Sequence, residues 1–248
     1  FRALLGHDWL HRAYAYPHHL RLLESPDARV TALPAAFESR LFPPAAEKDP
    51  GLVLRTAAGL PSKDLALFME VAKRLPSHRF VLCCVTCNGW EHYPEELRRM
   101  AASMGSPVEL RFDVPREQIA ALMARAGIYL HTANPPDVPP GTPIGMPISI
   151  AEAMATGAHV LVRDVPELAA YVGDVGAVYR DAAHAAELIE ATSGWSEAEW
   201  LHQRIRASDR AFLHFADETV LRPMLADWQA LARERQAGAG AQEAVRAA

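Results

Sequence analysis

From Gly51 onward, short apolar runs alternate with segments of helical period, and this alternation constrains the fold more than any other feature of the chain. Residues 52–56, 79–85, 108–112, 127–132, 159–163 and 177–179 read as strands. Between them, 62–75 repeats Leu65, Phe68, Met69, Ala72 and Leu75 on one helical face behind Ser62 as N-cap. Segment 94–104 is a helix closed by Gly105, and 115–126 a helix with proline at its first position. Further helices are expected at 147–156, 167–171, 183–192, 197–216 and 218–236. Strand and helix in this order make βαβ units. The expected fold class is therefore α/β, a Rossmann-like doubly wound parallel sheet with extra C-terminal helices. In such sheets ligands sit beyond the carboxyl ends of the strands, where strand order reverses. The loops after Thr56, Val85, Phe112 and Thr132 are thus the places to look for a site.

The chain has 248 residues, half of them apolar and 22% charged, enough to bury a sizeable core. Residues 51–236 are the expected domain. Residues 1–50 read as an N-terminal segment and linker: a helix at 7–23 interrupted by Pro17, a lone strand at 30–33, and the proline-rich PAAFESRLFPPAAEKDP. Residues 237–248, AGAGAQEAVRAA, read as a disordered tail. A net charge of −5 gives no broad basic surface for nucleic acid or an anionic membrane, so positive charge for a phosphate has to be placed locally. Lysine occurs only at Lys48, Lys63 and Lys73.

Cys83, Cys84 and Cys87 are an odd, clustered set, which argues against a disulfide framework and for a reducing compartment. The lone CxxC sits in an apolar, β-prone stretch, so these are read as buried strand thiols rather than metal or redox ligands. There is no apolar run of the roughly 20 residues that span a bilayer, and no signal-peptide layout. The expected location is the cytoplasm. His7, His11, His18 and His19 lack the accompanying Glu or Cys spacing of a metal site and read as solvated or interface histidines; no metal is expected. His131, at the end of a strand on the ligand edge, is a candidate contact. Trp195, Trp200, Phe212, Phe215, Leu225 and Trp228 read as core or interdomain packing.

Two segments carry the functional signal. In PPGTPIGMPISIAEAMATGAHVLVRD, a loop feeds Gly145 and then a helix start near Pro147. Glycine permits close backbone approach, and the first free amides of a helix favour a phosphate. Glu152 follows about one and a half turns in, among Ala151, Ala153 and Ala155; a charged group in so apolar a helix needs a ligand or a partner such as a core arginine. In RTAAGLPSKDL, a strand ends in a loop containing Gly59, with Lys63 at the strand-to-helix turn, placed either to meet an anion or to sit solvated in the first turn.

These segments, together with SPDARVTALPAAFESRLFPP ahead of them, resemble in order and spacing the carboxyl-terminal domain of family 4 (group 1) retaining glycosyltransferases of the GT-B fold. The resemblance covers about 30–216. It implies that Lys63 is the lysine on the donor diphosphate and the catalytic residue of the set. By the same resemblance Glu152 is the second glutamate of a Glu-x7-Glu motif, holding the ribose hydroxyls. Gly145, Met146, Pro147 and Ile148 would offer their backbone to the donor phosphates and sugar, and Gly59 belongs to the donor loop. Asp113 and Val114 would meet the base through main-chain groups. Three departures stand out: Ile144 replaces the motif's first glutamate, Ala58 replaces the arginine five residues before the lysine, and Ala35–Ala36 replaces a polar-glycine pair.

The implied activity is transfer of a sugar, with retention, from a nucleotide-diphosphate donor to an acceptor the sequence does not name. No cofactor or metal is implied. Acceptor binding in this architecture needs an N-terminal domain that residues 1–50 cannot form, so the chain is expected to be a donor-binding half, inactive alone. The alternatives are a degenerate, non-catalytic nucleotide-binding or partner-docking module, favoured by Ile144 and Ala58, and half of a nucleotide-sugar epimerase. Fold alone does not separate them.

Overall fold

The computed structural model describes residues 13–15, 29–133 and 147–247, with side chains as far as residue 235. A short parallel pair, β1 (Ala13–Ala15) and β2 (Val30–Ala32), stands apart from a six-stranded sheet. That sheet comprises β3 (Asp49–Ala58), β4 (Arg79–Val85), β5 (Glu109–Phe112), β6 (Ala126–His131), β7 (His159–Arg163) and β8 (Gly176–Tyr179). Its spatial order is β5-β4-β3-β6-β7-β8, and every neighbouring pair is parallel. The chain winds outward from β3 to β5, then returns to lay β6 on the other side of β3. Strand order therefore reverses between β3 and β6, and the crevice at their carboxyl ends is the expected ligand position.

The helices are α1 (Leu65–Arg74), α2 (Tyr93–Met104), α3 (Arg116–Arg125), α4 (Ile148–Ala155), α5 (Pro166–Val172), α6 (Ala182–Ser193), α7 (Glu197–Phe215) and α8 (Asp217–Ala247). Alternate strand residues feed two cores. Leu52, Leu54, Tyr129, Val160 and Val162 pack with α3, α4, α5 and α7, whereas Val53, Ile128, Leu130 and Leu161 pack with α1, α2 and α6. Both faces are thus covered, as an all-parallel sheet requires. Gly127 is fixed by close approach: a Cβ there would lie 2.6 Å from the Asp49 carbonyl oxygen, where the β3–β6 register shifts.

Several expectations change. The strand at 30–33 is not lone, because β2 pairs with β1, and Ala13–Ala15 is a strand where a helix was expected. The rest of the 7–23 segment, including His7, His11, His18 and His19, lies outside the described residues. The proline-rich linker is packed onto the domain: Phe37 and Phe42 are fully buried, and Phe37 exchanges main-chain hydrogen bonds with Phe215 and Asp217 at the α7–α8 junction. The hydrophobic gain from two phenylalanines outweighs the extended preference of the flanking prolines. Lys48 adds a clip, donating to the Met123 carbonyl (2.7 Å) and to Thr156 Oγ1 (3.1 Å) at the carboxyl ends of α3 and α4.

Ser62 caps nothing. Pro61–Lys63 forms a 3-10 turn, and Asp64 takes a left-handed conformation (φ 48°) before α1 begins. The last helix continues to Ala247, in the segment expected to be disordered; the alanines there, Gln242, Glu243 and Arg246 are all helix-favouring. Trp200 and Phe215 are buried, while Leu225 and Trp228 are about half exposed. Tyr14 Oη donates to Asp227 Oδ2 (2.6 Å), joining β1 to α8. Among the described residues no helix is long and apolar enough to cross a membrane.

Candidate functional site

One strand away from the strand-order reversal, a cleft of about 330 Å³ opens between the carboxyl ends of β3 and β4 and the starts of α3 and α4. Thr56–Ala58 and Cys83–Val85 form its floor and one wall, and Val114, Arg116, Ile119, Ser149 and Glu152 the other. Two hydrophobic residues near its mouth are unusually open to solvent for their type, Val85 (56%) and Ile148 (40%). Cys83 and Cys84 are buried strand thiols as expected; burial pushes their pKa values up to about 11 and about 12, so they present neutral, apolar surface.

Among the described residues, Glu152 is the one carboxylate in the lining. Its side chain is buried because α4 packs Ile150, Ala151, Ala153, Met154 and Ala155 against the sheet and α7. Oε1 accepts from Arg116 Nη2 at 2.8 Å, and the second oxygen has no hydrogen bond among the described residues. Burial raises the Glu152 pKa, and Arg116 opposes that rise. A buried acid held against its desolvation in a cleft is characteristic of functional sites.

A cationic group, none of whose members lines the cleft, lies behind Thr56 of its floor. Arg55, 2% exposed, donates through Nη1 to the Thr56 carbonyl (2.7 Å) and Tyr129 Oη (3.0 Å), and through Nη2 to the Thr132 carbonyl (2.6 Å). Thr132 Oγ1 in turn donates to the main-chain carbonyl of Lys63 (2.7 Å), fixing the 3-10 turn that carries the lysine. The Lys63 ammonium has no ion-pair partner among the described residues, and burial followed by the Arg55 charge lowers its pKa. His131 is buried, with Nδ1 unsatisfied; desolvation first, then Arg55 and Lys63, hold it well below the usual histidine range, so it is neutral. The unpaired ammonium of Lys63 is the member of this group open to an anion.

The expected site residues divide accordingly. Glu152 and Val114 line the cleft, and Lys63 lies in the cationic group behind its floor. Pro147 is the N-cap of α4 and Ile148 its first residue. Gly59 stands behind the wall: its amide donates to the Val85 carbonyl (2.8 Å), and a Cβ would meet that same oxygen at 3.1 Å. Asp113 is turned to structure, its amide on the Cys84 carbonyl (3.0 Å) and its carboxylate accepting from the Thr86 amide (2.8 Å) and hydroxyl (2.7 Å). Those two bonds lower the Asp113 pKa. Gly145, Met146 and Ile144 lie outside the described residues.

Sequence reasoning missed Arg116 and Ser149. Arg116 carried a signal: an arginine in the first turn of a helix opposes the helix dipole and calls for a local acid. Nothing in the sequence set Ser149 apart.

A family model described as "Glycosyl transferases group 1" matches residues 51–195, more than half of the chain. A sequence search of curated proteins finds no match. Solved structures share the fold. Anabaena HepE, in complex with UDP and glucose, aligns with a TM-score of 0.70 at 16% identity, over 89% of this chain and 63% of that one. Sucrose-phosphate synthase from Thermosynechococcus elongatus aligns with a TM-score of 0.67 at 17% identity, over 91% and 60%. A glycosyltransferase from Rickettsia africae gives 0.70 at 13% identity, over 94% and 67%. The chain thus spans roughly three fifths to two thirds of these relatives.

Proposed function

This chain belongs to the group 1 glycosyltransferases of the GT-B fold, and we propose that it binds a nucleotide-diphosphate sugar in the cleft for retaining transfer to an acceptor. One observation carries the reading: a buried, arginine-paired carboxylate with a free oxygen, Glu152, in a cleft at the carboxyl ends of β3 and β4, beside the point where strand order reverses. A carboxylate so placed accepts from the two hydroxyls of a ribose. The neutral floor of Cys83, Cys84 and Val85 offers apolar surface to a base, and Lys63 meets the diphosphate. As the sugar leaves, negative charge grows on the diphosphate, and a preorganised ammonium stabilises it more in the transition state than in the ground state.

Acceptor binding falls, in this proposal, to a domain corresponding to the part of the structural relatives that this chain does not cover, and transfer requires it. Three unpaired thiols suit the reducing cytoplasm. A second reading, a non-catalytic nucleotide-binding module, is favoured by Ala58, whose methyl lines the cleft where the family resemblance puts an arginine.

Calorimetric titration with UDP, GDP, ADP and their sugar conjugates, repeated on Glu152→Ala, tests the proposal. Binding of one nucleotide family, lost in the variant with the fold retained, supports it and names the base. Absence of binding by the folded wild-type chain, or equal affinity in the variant, refutes the site. Sugar transfer by the chain joined to its acceptor domain separates the enzyme from the module.

A further inference from the structure

Arg116 occupies a place that local preference disfavours. It is the first residue of α3, behind Pro115, where the helix dipole favours an acid. Three groups hold it there. Nη2 donates to Glu152 Oε1 at 2.8 Å, Nε lies 3.7 Å from Glu38 Oε2 of the segment preceding β3, and the guanidinium stands 5.1 Å from the centre of the Phe42 ring, which is fully buried. The two ends of the Glu152 pair differ sharply: the Arg116 side chain is 50% exposed, and that of Glu152 only 6%. The arginine therefore reaches from solvent to a carboxylate that has left it, and both line the same cleft.

We infer that Arg116 is the positioning residue of the ribose site, fixing Glu152 as a charged acceptor with its second oxygen turned to the cleft. The inference rests on the reading that the cleft holds a nucleotide. It adds a residue that neither the helix-start nor the lysine motif contains. The groups facing Glu152 are Arg116 from α3, Glu38 from the preceding segment and Tyr171 from α5. Of these only Arg116 favours the ionised form. Burial and the Glu38 charge both favour the protonated acid, and the buried Tyr171 hydroxyl, itself pushed up by burial and by Glu152, donates to nothing among the described residues. Without Arg116, Glu152 takes up a proton at higher pH. A protonated carboxyl donates one hydrogen and loses most of its strength as an acceptor of hydroxyls.

The test has a ligand arm and a ligand-free arm. Affinity for UDP-glucose, GDP-glucose and ADP-glucose, whose diphosphodiesters do not titrate near neutrality, is measured from about pH 5.5 to 8.5 on the wild type, Arg116→Ala, Arg116→Lys and Glu152→Gln. The expected wild-type profile is flat. In Arg116→Ala affinity falls as pH drops, by roughly tenfold per unit below the new Glu152 pKa, and recovers as pH rises. Arg116→Lys keeps the flat profile, and Glu152→Gln binds weakly at every pH. A loss in Arg116→Ala that is the same at every pH, or no loss, overturns the inference while leaving the nucleotide site standing.

In the second arm, carboxyl carbon NMR follows the Glu152 titration without ligand. An upward move in Arg116→Ala, reversed in Arg116→Lys, is expected; an unmoved titration overturns the inference. A wild type that binds none of the sugars, yet shows the shift, refutes the nucleotide reading and the ribose role with it, and keeps only the ion pair.

Discussion

Replacing Lys63 by alanine separates binding from stability. The ammonium has no ion pair among the described residues, and the charge that acts on it most is Arg55, of like sign. Removing it strands no buried acid and relieves a repulsion, so the fold loses nothing beyond the packing of the lysine stem. Its 3-10 turn stays in place, because Thr132 holds the Lys63 main-chain carbonyl rather than its side chain. A charge-assisted hydrogen bond to a diphosphate oxygen contributes about 1.5–3 kcal/mol, a loss of roughly 10- to 150-fold in affinity. The loss belongs to diphosphates alone. Calorimetry on nucleoside, nucleoside diphosphate and nucleotide sugar, at one salt concentration near 0.15 M, measures each affinity in wild type and Lys63→Ala, with thermal denaturation as the control for folding. The reasoning is refuted if nucleoside and diphosphate weaken together, if neither weakens, or if the variant unfolds at a markedly lower temperature.

Two further outcomes concern buried titrating groups. His159 is buried against Trp195 with Nδ1 unsatisfied, and burial lowers its pKa from 6.5 to about 4. The unfolded chain therefore takes up a proton that the folded chain refuses, and stability drains away as pH falls from about 6.5 to about 4, by about 3 kcal/mol in all. Urea denaturation at both ends of that window should show His159→Phe losing correspondingly less than the wild type. Lys48 is held at about 7 by desolvation and then by Arg204, against 10.5 in an unfolded chain. Between these values the unfolded state binds the extra proton, so stability rises with pH by up to about 1.4 kcal/mol per unit. Denaturation at pH 7 and pH 8.5 should show this rise in the wild type and not in Lys48→Met.

The sheet was legible in the sequence because its signal is periodic and local. All six strands of the main sheet fall where apolar runs place them, and β7 matches residue for residue. What failed depended on partners distant in the chain. Three residues of β2 carry no trace of a partner at Ala13–Ala15. Ser62 looked like a cap, but Asp64, held by Arg163 at 2.6 Å from the end of β7, sets the turn instead. The segment of Pro34 to Pro50 reads as a linker because of its prolines, whereas Phe37 and Phe42 decide its fate by burial.

The site divides in the same way. Glu152 and Lys63 stand out in the sequence because each is a charged residue in an otherwise apolar or glycine-containing setting. Gly59 and Asp113 were carried in by position, and the structure gives their amides main-chain partners. Arg116 is an anomaly in the sequence, an arginine in the first turn of a helix. Its meaning appears only once Glu152, 36 residues away, is beside it.

Hydrogen exchange of the chain at saturating nucleotide sugar tests the central claim most directly, because it locates the ligand. Slowed exchange confined to the ends of β3 and β4, the turn at Lys63, and the first turns of α3 and α4 is the result this account predicts. Protection centred elsewhere, such as the opposite sheet edge around His159 and Trp195, would contradict it, as would a bound ligand that protects none of these segments.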